Sequence, residues 1–337
     1  MSKRYLVFNA NWLGDVLFAT PAFRALKRHD PSCYVACVVP PRCQTLLKNN
    51  PYVDEVIVFP DKVPFLMVWK NLALTLKLRG GRFDSAIFFQ RSSTRTFIAR
   101  LAGIPERIGH ATAKMRWLTR SVPTSHTPQH KTDSFLSLLA DAGIPAAGRE
   151  PDFEPSPSSV DSWARLKNEY GLVAGRYVVV HAGGNWNLKR WPQSHVTQLT
   201  QKLLSELDYR VVFCGTVSEK KWIDPIISQV SDARVISLVG KTTLDELALL
   251  LKEAALLISN DSGPIHLGAS QSVKILGLYG PTRPDLTGPI PKGRSKILHR
   301  APGCELPCYF KDCNYRVCLE WLSPQEVFRE AAALLQS

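Results

Sequence analysis

Short apolar runs alternate with amphipathic stretches along this chain, and the alternation occurs twice. In the first half, residues 5–10, 34–39, 53–59 and 85–89 read as strands, and residues 16–28 as a helix with Val16, Leu17, Ala19, Phe23 and Leu26 toward one side. In the second half, residues 177–181, 210–214, 255–259 and 273–279 read as strands, with 273–279 the last. Between them Pro192 opens a helix to about residue 207, Thr243 and Glu246 form a capping box for a helix through Lys252, and another helix begins near Gly263. Ser323-Pro324-Gln325-Glu326 has a capping residue, a proline at the first helical position and an acid three residues on, so a terminal helix starts there. Strands alternating with helices require parallel crossovers, so each half is expected to be a doubly wound α/β sheet.

Residues 150–159 hold three prolines and no helical or strand period, which marks a linker. A length of 337 residues suits two domains. The expected division is residues 1–155, residues 156–322, and a terminal helix, 323–337, packing back toward the first domain. Ligands of such sheets bind beyond the carboxyl ends of the strands, so a cleft between the halves is expected.

Charge is distributed unevenly. The net charge is +13, yet residues 1–150 carry 21 Lys/Arg against 10 Asp/Glu, while residues 151–337 carry 21 against 19. The first half is therefore the one expected to meet an anionic partner: nucleic acid, an acidic membrane surface or a phosphorylated substrate. The apolar stretches 63–69 and 247–258 are interrupted or bounded by Lys70 and Lys252 and are too short to span a membrane. The apolar run after Lys3 and Arg4 meets Asn9, Asn11 and Asp15 too soon for a signal-peptide core. Eight cysteines without a secretion signal imply reduced thiols, hence an expected cytoplasmic location.

Three loops at strand ends carry groups suited to chemistry. In Asn11-Trp12-Leu13-Gly14-Asp15, Asp15 either caps the first helix or faces a ligand. In the segment from His181 to Pro192, Gly183 and Gly184 let backbone N–H groups approach a ligand. Lys189 and Arg190 add charge just before a helix N-terminus, a combination that favours an anion. In Asn260-Asp261-Ser262-Gly263-Pro264-Ile265-His266, the N–H groups at Ser262 and Gly263 suit a pyrophosphate. There Asp261 suits sugar hydroxyls as an acceptor, and His266 a phosphate oxygen.

The dinucleotide fingerprint, the Walker P-loop and any Asp-x-Asp pair are missing, so a phosphorylated leaving group would be handled by helix termini and Lys/Arg without metal. Cys304, Cys308, Cys313 and Cys318 lie within fifteen residues. Their spacing is looser than paired zinc knuckles, which leaves zinc and simple thiol packing both open.

In order and position these motifs resemble the ADP-heptose:lipopolysaccharide heptosyltransferases, glycosyltransferase family 9, nearer to members that add the second heptose. The resemblance covers nearly the whole chain and is carried by the first loop, Leu101-Ala102-Gly103-Ile104-Pro105-Glu106-Arg107-Ile108-Gly109, Lys189-Arg190-Trp191-Pro192, the segment from Asn260 to His266, Leu278-Tyr279-Gly280-Pro281-Thr282, and the Cys-rich tail before Ser323-Pro324. It implies a GT-B fold of two Rossmann-like domains and an inverting, metal-independent transfer with no cofactor. By resemblance Asp15 is the general base and Lys189 neutralises the departing ADP. Asp261 holds the heptose, with Ser262, Gly263 and His266 around the diphosphate; Glu219, after Gly215-Thr216, reaches the ribose. Where some relatives have hydroxyls this chain has Gly183 and Gly184, so phosphate contacts there fall to the backbone.

The implied partners are ADP-heptose and an anionic lipid A–core acceptor, met by a monomer at the inner face of the cytoplasmic membrane. Arg91, Arg95, Arg100, Arg107, Arg116 and Arg120 are candidate acceptor contacts, each otherwise part of a solvated basic face. Residues 65–78, with Trp69 and Lys77, read as a core helix or as a lipid contact. The alternative enzyme is another GT-B glycosyltransferase with a different nucleotide sugar, since no residue here reads the sugar. A nucleic-acid-binding protein would leave the donor-like motifs unexplained, and nucleic acid is not an expected partner.

Overall fold

Burial on both faces is what a parallel sheet demands, and the strands supply it with near-continuous β-branched and apolar runs such as Tyr177–His181, buried throughout. The computed structural model describes residues 2–60, 67–113, 115–125, 127–291, 293–301, 303–308, 310, 313, 315 and 317–336. It divides into two units, Met1–Glu154 and Pro155–Ser337.

The first unit runs β1 (Arg4–Phe8), α1 (Leu13–His29), β2 (Tyr34–Val39), α2 (Gln44–Lys48), β3 (Glu55–Val58), α3 (Met67–Gly80), β4 (Ser85–Phe88), α4 (Ser93–Leu101), β5 (Glu106–His110), β6 (Arg120–Val122) and α5 (Lys131–Asp141). The second runs α6 (Ser158–Glu169), β7 (Tyr177–His181), α7 (Gln193–Glu206), β8 (Arg210–Phe213), α8 (Lys220–Val230), β9 (Val235–Ser237), α9 (Leu244–Glu253), β10 (Leu256–Asn260), α10 (Gly263–Ser270), β11 (Ile275–Tyr279), α11 (Pro284–Thr287), β12 (Ser295–His299), α12 (Val317–Glu320) and α13 (Pro324–Gln336).

The sheet orders are β3-β2-β1-β4-β5-β6 and β12-β11-β10-β7-β8-β9, and every pairing is parallel. Counted within each unit, both have the Rossmann order 3-2-1-4-5-6. The direction of winding reverses between β1 and β4 and between β7 and β10, and in this fold ligands bind beyond the carboxyl ends at that point. The first turn of α1 with Asp15 and the loops carrying Gly183 and Asp261 follow β1, β7 and β10, three of those four strands.

Phe8 and Phe88, neighbours across that reversal, stack 4.9 Å apart in the first core. Helix α1 tolerates an internal proline because the Thr20 hydroxyl donates to the Leu17 carbonyl at 2.8 Å, the acceptor that Pro21 cannot serve.

Four expectations need correction. Strand 273–279 is not the last, because β12 adds a parallel edge beyond it. Helix α1 starts at Leu13, a turn before residue 16, with Trp12 as a cap that makes no side-chain bond. The proline-rich stretch is only partly a linker: Asp152 is buried against the Arg24 guanidinium, Phe153 is buried, and α6 already begins at Ser158. The terminal helix was expected toward the first domain. Instead α13 buries Val327, Phe328 and Ala331 in the second unit's core, and the Trp191 indole N–H donates to the Leu322 carbonyl at 2.9 Å just before it. Its apolar stripe matches the surface left by α7 and β12. Of the segment 65–78, residues 65 and 66 lie outside the described residues, as do residues 63–66 of the stretch 63–69.

Candidate functional site

In the second unit Asn260, the last residue of β10, ties two loops together. Its amide donates to the carbonyls of Ala182 and Gly183 at 2.9 and 3.1 Å, and its side-chain oxygen accepts from the Trp191 N–H at 3.4 Å. The next residue, Asp261, is buried and accepts through Oδ2 from Lys189 Nζ and Thr282 Oγ1, both at 2.7 Å. Three of the sequence motifs thus meet at one carboxylate. Lys189 also lies 5.8 Å from the Trp186 ring centre.

The start of α10 has no side-chain cap. Ser262 occupies the cap position but makes no side-chain capping bond, its hydroxyl lying 2.9 Å from His181 Nδ1 instead. The N–H groups of the first turn leave a partial positive charge there. His266 is buried in the same turn.

Glu219, assigned to the ribose by resemblance, has several partners within the protein. It is buried, and its carboxylate accepts from the N–H of Gly184 at 2.5 Å and from the N–H and hydroxyl of Thr216 at 2.7 and 2.9 Å. His181 Nε2 stands 3.5 Å away. The Gly184 N–H is therefore engaged by protein, while Arg190 donates to the Gly184 carbonyl through Nε at 2.8 Å. The glycine pair now has a steric reason: a Cβ on Gly183 would fall 2.1 Å from Glu219 Oε1, and Gly184 has φ +141°. The order Ser262–His181–Glu219–Gly184 links the loops after β10, β7 and β8.

Burial raises the Glu219 carboxyl pKa, but hydrogen bonding and charge from His181 and the Thr216 donors outweigh it and hold the group at about 2, against 4.5 unperturbed. A depressed carboxylate stabilises the fold above its unfolded pKa and loses that contribution as pH falls through about 4.5 toward about 2. Glu219→Gln is therefore expected to destabilise the second unit by up to about 3 kcal/mol at neutral pH, with the gap from wild type narrowing below about pH 4.5. Urea unfolding at a series of pH values checks this; a gap independent of pH contradicts it.

In the first unit Asp15 sits in the first turn of α1, partly exposed, and its Oδ1 accepts from Lys131 Nζ at 2.6 Å. Lys131 opens α5, capped by His130, whose Nδ1 accepts from the Thr132 N–H at 3.1 Å. The loop before Asp15 is clamped by two arginines. Arg42 donates to the Asn11 carbonyl at 2.9 Å, and Arg95 donates to the Asn9 carbonyl at 3.2 Å and to Asn11 Oδ1 at 3.4 Å. Arg42 also lies over the exposed Trp12 ring, 5.2 Å from its centre. Lys131 and Arg42 carried no motif in the sequence; only the fold brings them to Asp15.

The arginines expected to meet the acceptor separate into groups. Arg91 is exposed beyond the carboxyl end of β4, and buried Arg95 serves the Asp15 loop. Arg120 opens β6 at the amino edge of the sheet, 3.9 Å from Glu106 Oε1, so it does not share the end that carries Asp15. Arg107 is tied to the Trp117 carbonyl at 2.7 Å, Arg100 lies over the Trp117 ring, and Arg116 is exposed.

Cys304, Cys308, Cys313 and Cys318 all line one small apolar cavity with Leu188 and Pro281, next in sequence to Lys189 and Thr282. Burial, with Cys304 and Cys313 nearby, pushes the Cys318 thiol up. Among the described residues no group of three or more His, Cys, Asp or Glu has an arrangement that could hold a metal ion.

The model of glycosyltransferase family 9 (heptosyltransferase) matches residues 71–318. Lipopolysaccharide heptosyltransferase 2 of Escherichia coli K12 is 26% identical, over 98% of this chain and 98% of its own length. The solved E. coli ADP-heptose lps heptosyltransferase II has a TM-score of 0.82 at 24% identity, with 99% of this chain and 98% of that chain covered. E. coli heptosyltransferase WaaC with ADP-2-deoxy-2-fluoro heptose has a TM-score of 0.75 at 21% identity, with 98% and 99% covered. These likenesses bear out the expected GT-B class of two Rossmann-like domains. Because the matched segment runs through both sheets and covers well over half of the chain, this protein belongs to glycosyltransferase family 9, the heptosyltransferases.

Proposed function

We propose that this enzyme moves heptose from ADP-heptose to a hydroxyl of the lipopolysaccharide inner core, inverting the anomeric carbon and using no metal ion. The observation that carries the reading is the Lys189–Asp261 pair, held at the carboxyl ends of β7 and β10 beside the uncapped start of α10. A cation, a sugar-binding carboxylate and a helix N-terminus in one place are what a sugar diphosphate requires. The named relatives act as lipopolysaccharide heptosyltransferases, and one solved neighbour holds an ADP-heptose analogue.

In the proposed reaction the acceptor oxygen attacks the anomeric carbon, whose bond to the diphosphate oxygen breaks. ADP leaves with the electron pair, and Asp15 takes the acceptor's proton. Lys131 orients the Asp15 carboxylate by binding Oδ1. Lys189 and the first-turn N–H groups of α10, including that of Gly263, meet the charge growing on ADP, the electrostatic contribution that dominates in such sites. Asp261 binds the heptose hydroxyls, with Ser262 and His266 beside the diphosphate. Glu219 acts indirectly on the ribose side by fixing the Gly184 and Thr216 backbone. The anionic acceptor is met by the basic residues at the carboxyl edge of the first sheet, Arg91 and Lys131 foremost, and the enzyme works as a monomer. Among the described residues no helix is long and apolar enough to cross a membrane.

A panel of ADP-, UDP- and GDP-sugars tests the donor. At a hundredfold excess over its Kd, ADP-heptose should stabilise the protein by about 2.7 kcal/mol, seen as a raised Tm. Stabilisation by a UDP- or GDP-sugar in its place would favour a different glycosyltransferase. Turnover should also be unchanged by EDTA; loss of turnover that Mg²⁺ restores contradicts the metal-independent step.

A further inference from the structure

Helix α3 carries apolar residues on two faces. Leu74, Thr75 and Leu78 are buried. On the other side Val68 is 75% exposed, Trp69 71%, Leu72 47% and Leu76 59%. At about 100° per residue these four, together with Arg79, fall within an arc of about 100°, as wide as the apolar stripe with which a helix normally faces a core. The core-helix reading of this segment accounts for one face only. The helix holds Lys70, Lys77 and Arg79 and no Asp or Glu. Lys77 pairs with Glu55 at 2.8 Å, while Lys70 and Arg79 make no ion pair among the described residues.

We propose that this second face of α3 docks on the surface of a bilayer containing anionic phospholipid. Val68, Trp69, Leu72 and Leu76 would enter the boundary between headgroups and acyl chains, with the Trp69 ring at the interface. Lys70 and Arg79 have stems long enough to reach the lipid phosphates from there. Charge complementarity selects this occupant: residues 1–150 hold 21 Lys/Arg against 10 Asp/Glu, so the unit carrying α3 is drawn to an anionic surface. At 14 residues α3 is about 21 Å long, enough to lie in the interface and too short to cross it. A second copy suits the face less well, because pairing two α3 helices would bring their cations together. The surface depends on α3 alone and not on which sugar the enzyme transfers.

Co-sedimentation of the full chain with phosphatidylcholine vesicles, with and without phosphatidylglycerol, tests the proposal. Wild type should bind the phosphatidylglycerol vesicles. Trp69→Ser/Leu72→Ser/Leu76→Gln should weaken that binding at least about tenfold at an unchanged Tm, since the replaced side chains are exposed. Lys70→Glu/Arg79→Glu should remove the preference for phosphatidylglycerol, and Trp69→Ser alone serves as a milder variant should the triple one lose stability. Failure of wild type to bind, or binding by a folded variant at the wild-type level, overturns the proposal. So does sedimentation velocity showing a wild-type dimer that the same substitutions dissociate, which would make this face a contact between copies.

Discussion

Asp15→Asn is expected to lower heptosyl transfer by about 10³-fold while ADP-heptose binds as to wild type. Asn keeps the size and a carbonyl oxygen for Lys131 but cannot take a proton at neutral pH. The carboxylate lies in the first unit, bonded through Oδ1 to Lys131 at 2.6 Å, and Oδ2 has no hydrogen-bond partner among the described residues. The groups assigned to the donor all belong to the second unit, so removing the base should leave the binding isotherm untouched. Titration calorimetry with ADP-heptose beside a transfer assay separates the two effects. Retained turnover would remove Asp15 from the mechanism, and lost donor binding would make it a donor ligand.

Lys189→Met should cost about 10²- to 10³-fold in kcat/KM, with weaker product inhibition by ADP. Methionine keeps much of the stem over Trp186 and removes the charge. The loop has other supports: Thr282 still donates to Asp261, Asn260 still joins the loops at Ala182 and Trp191, and Arg190 still holds the Gly184 carbonyl. The deficit should therefore follow the charge facing the diphosphate. An unchanged ADP inhibition constant in a variant of wild-type stability would show that Lys189 serves only to pair with Asp261.

Strands and helices were legible where local preference and burial agree. Residues 34–39 and 177–181 are strands because both faces are covered, which leaves an unbroken apolar run that survives any register. The Thr243–Glu246 capping box forms as its spacing implies, with the Thr243 N–H donating to Glu246 Oε2 at 2.8 Å. The missed strands are short or polar: Arg120–Val122, Val235–Ser237 and Ser295–His299 are edge strands with a single neighbour each, and Glu106–His110, next to an edge, carries three polar residues in five. The same box geometry at Thr216 and Glu219 went unread, because a single 3-10 turn has no apolar period to mark it.

The candidate site divides in the same way. Asp15, Lys189 and Asp261 stand in the short segments just after strands β1, β7 and β10, Asp15 in the first turn of α1, and could be found by position alone. Lys131 and Arg42 could not, nor could the bonding roles of Asn260 and His181 inside their segments, since the partners lie 116, 31, 78 and 81 residues away and only the folded sheet makes them neighbours.

The most direct measurement is mass spectrometry of two lipid A–core acceptors, one truncated before the first heptose and one before the second, each incubated with the enzyme and ADP-heptose. The account predicts a gain of one heptosyl residue on at least one of them, one ADP released per acceptor consumed, and an anomeric configuration opposite to the donor's. Both acceptors left unmodified with ADP-heptose, together with transfer from another nucleotide sugar, would contradict it.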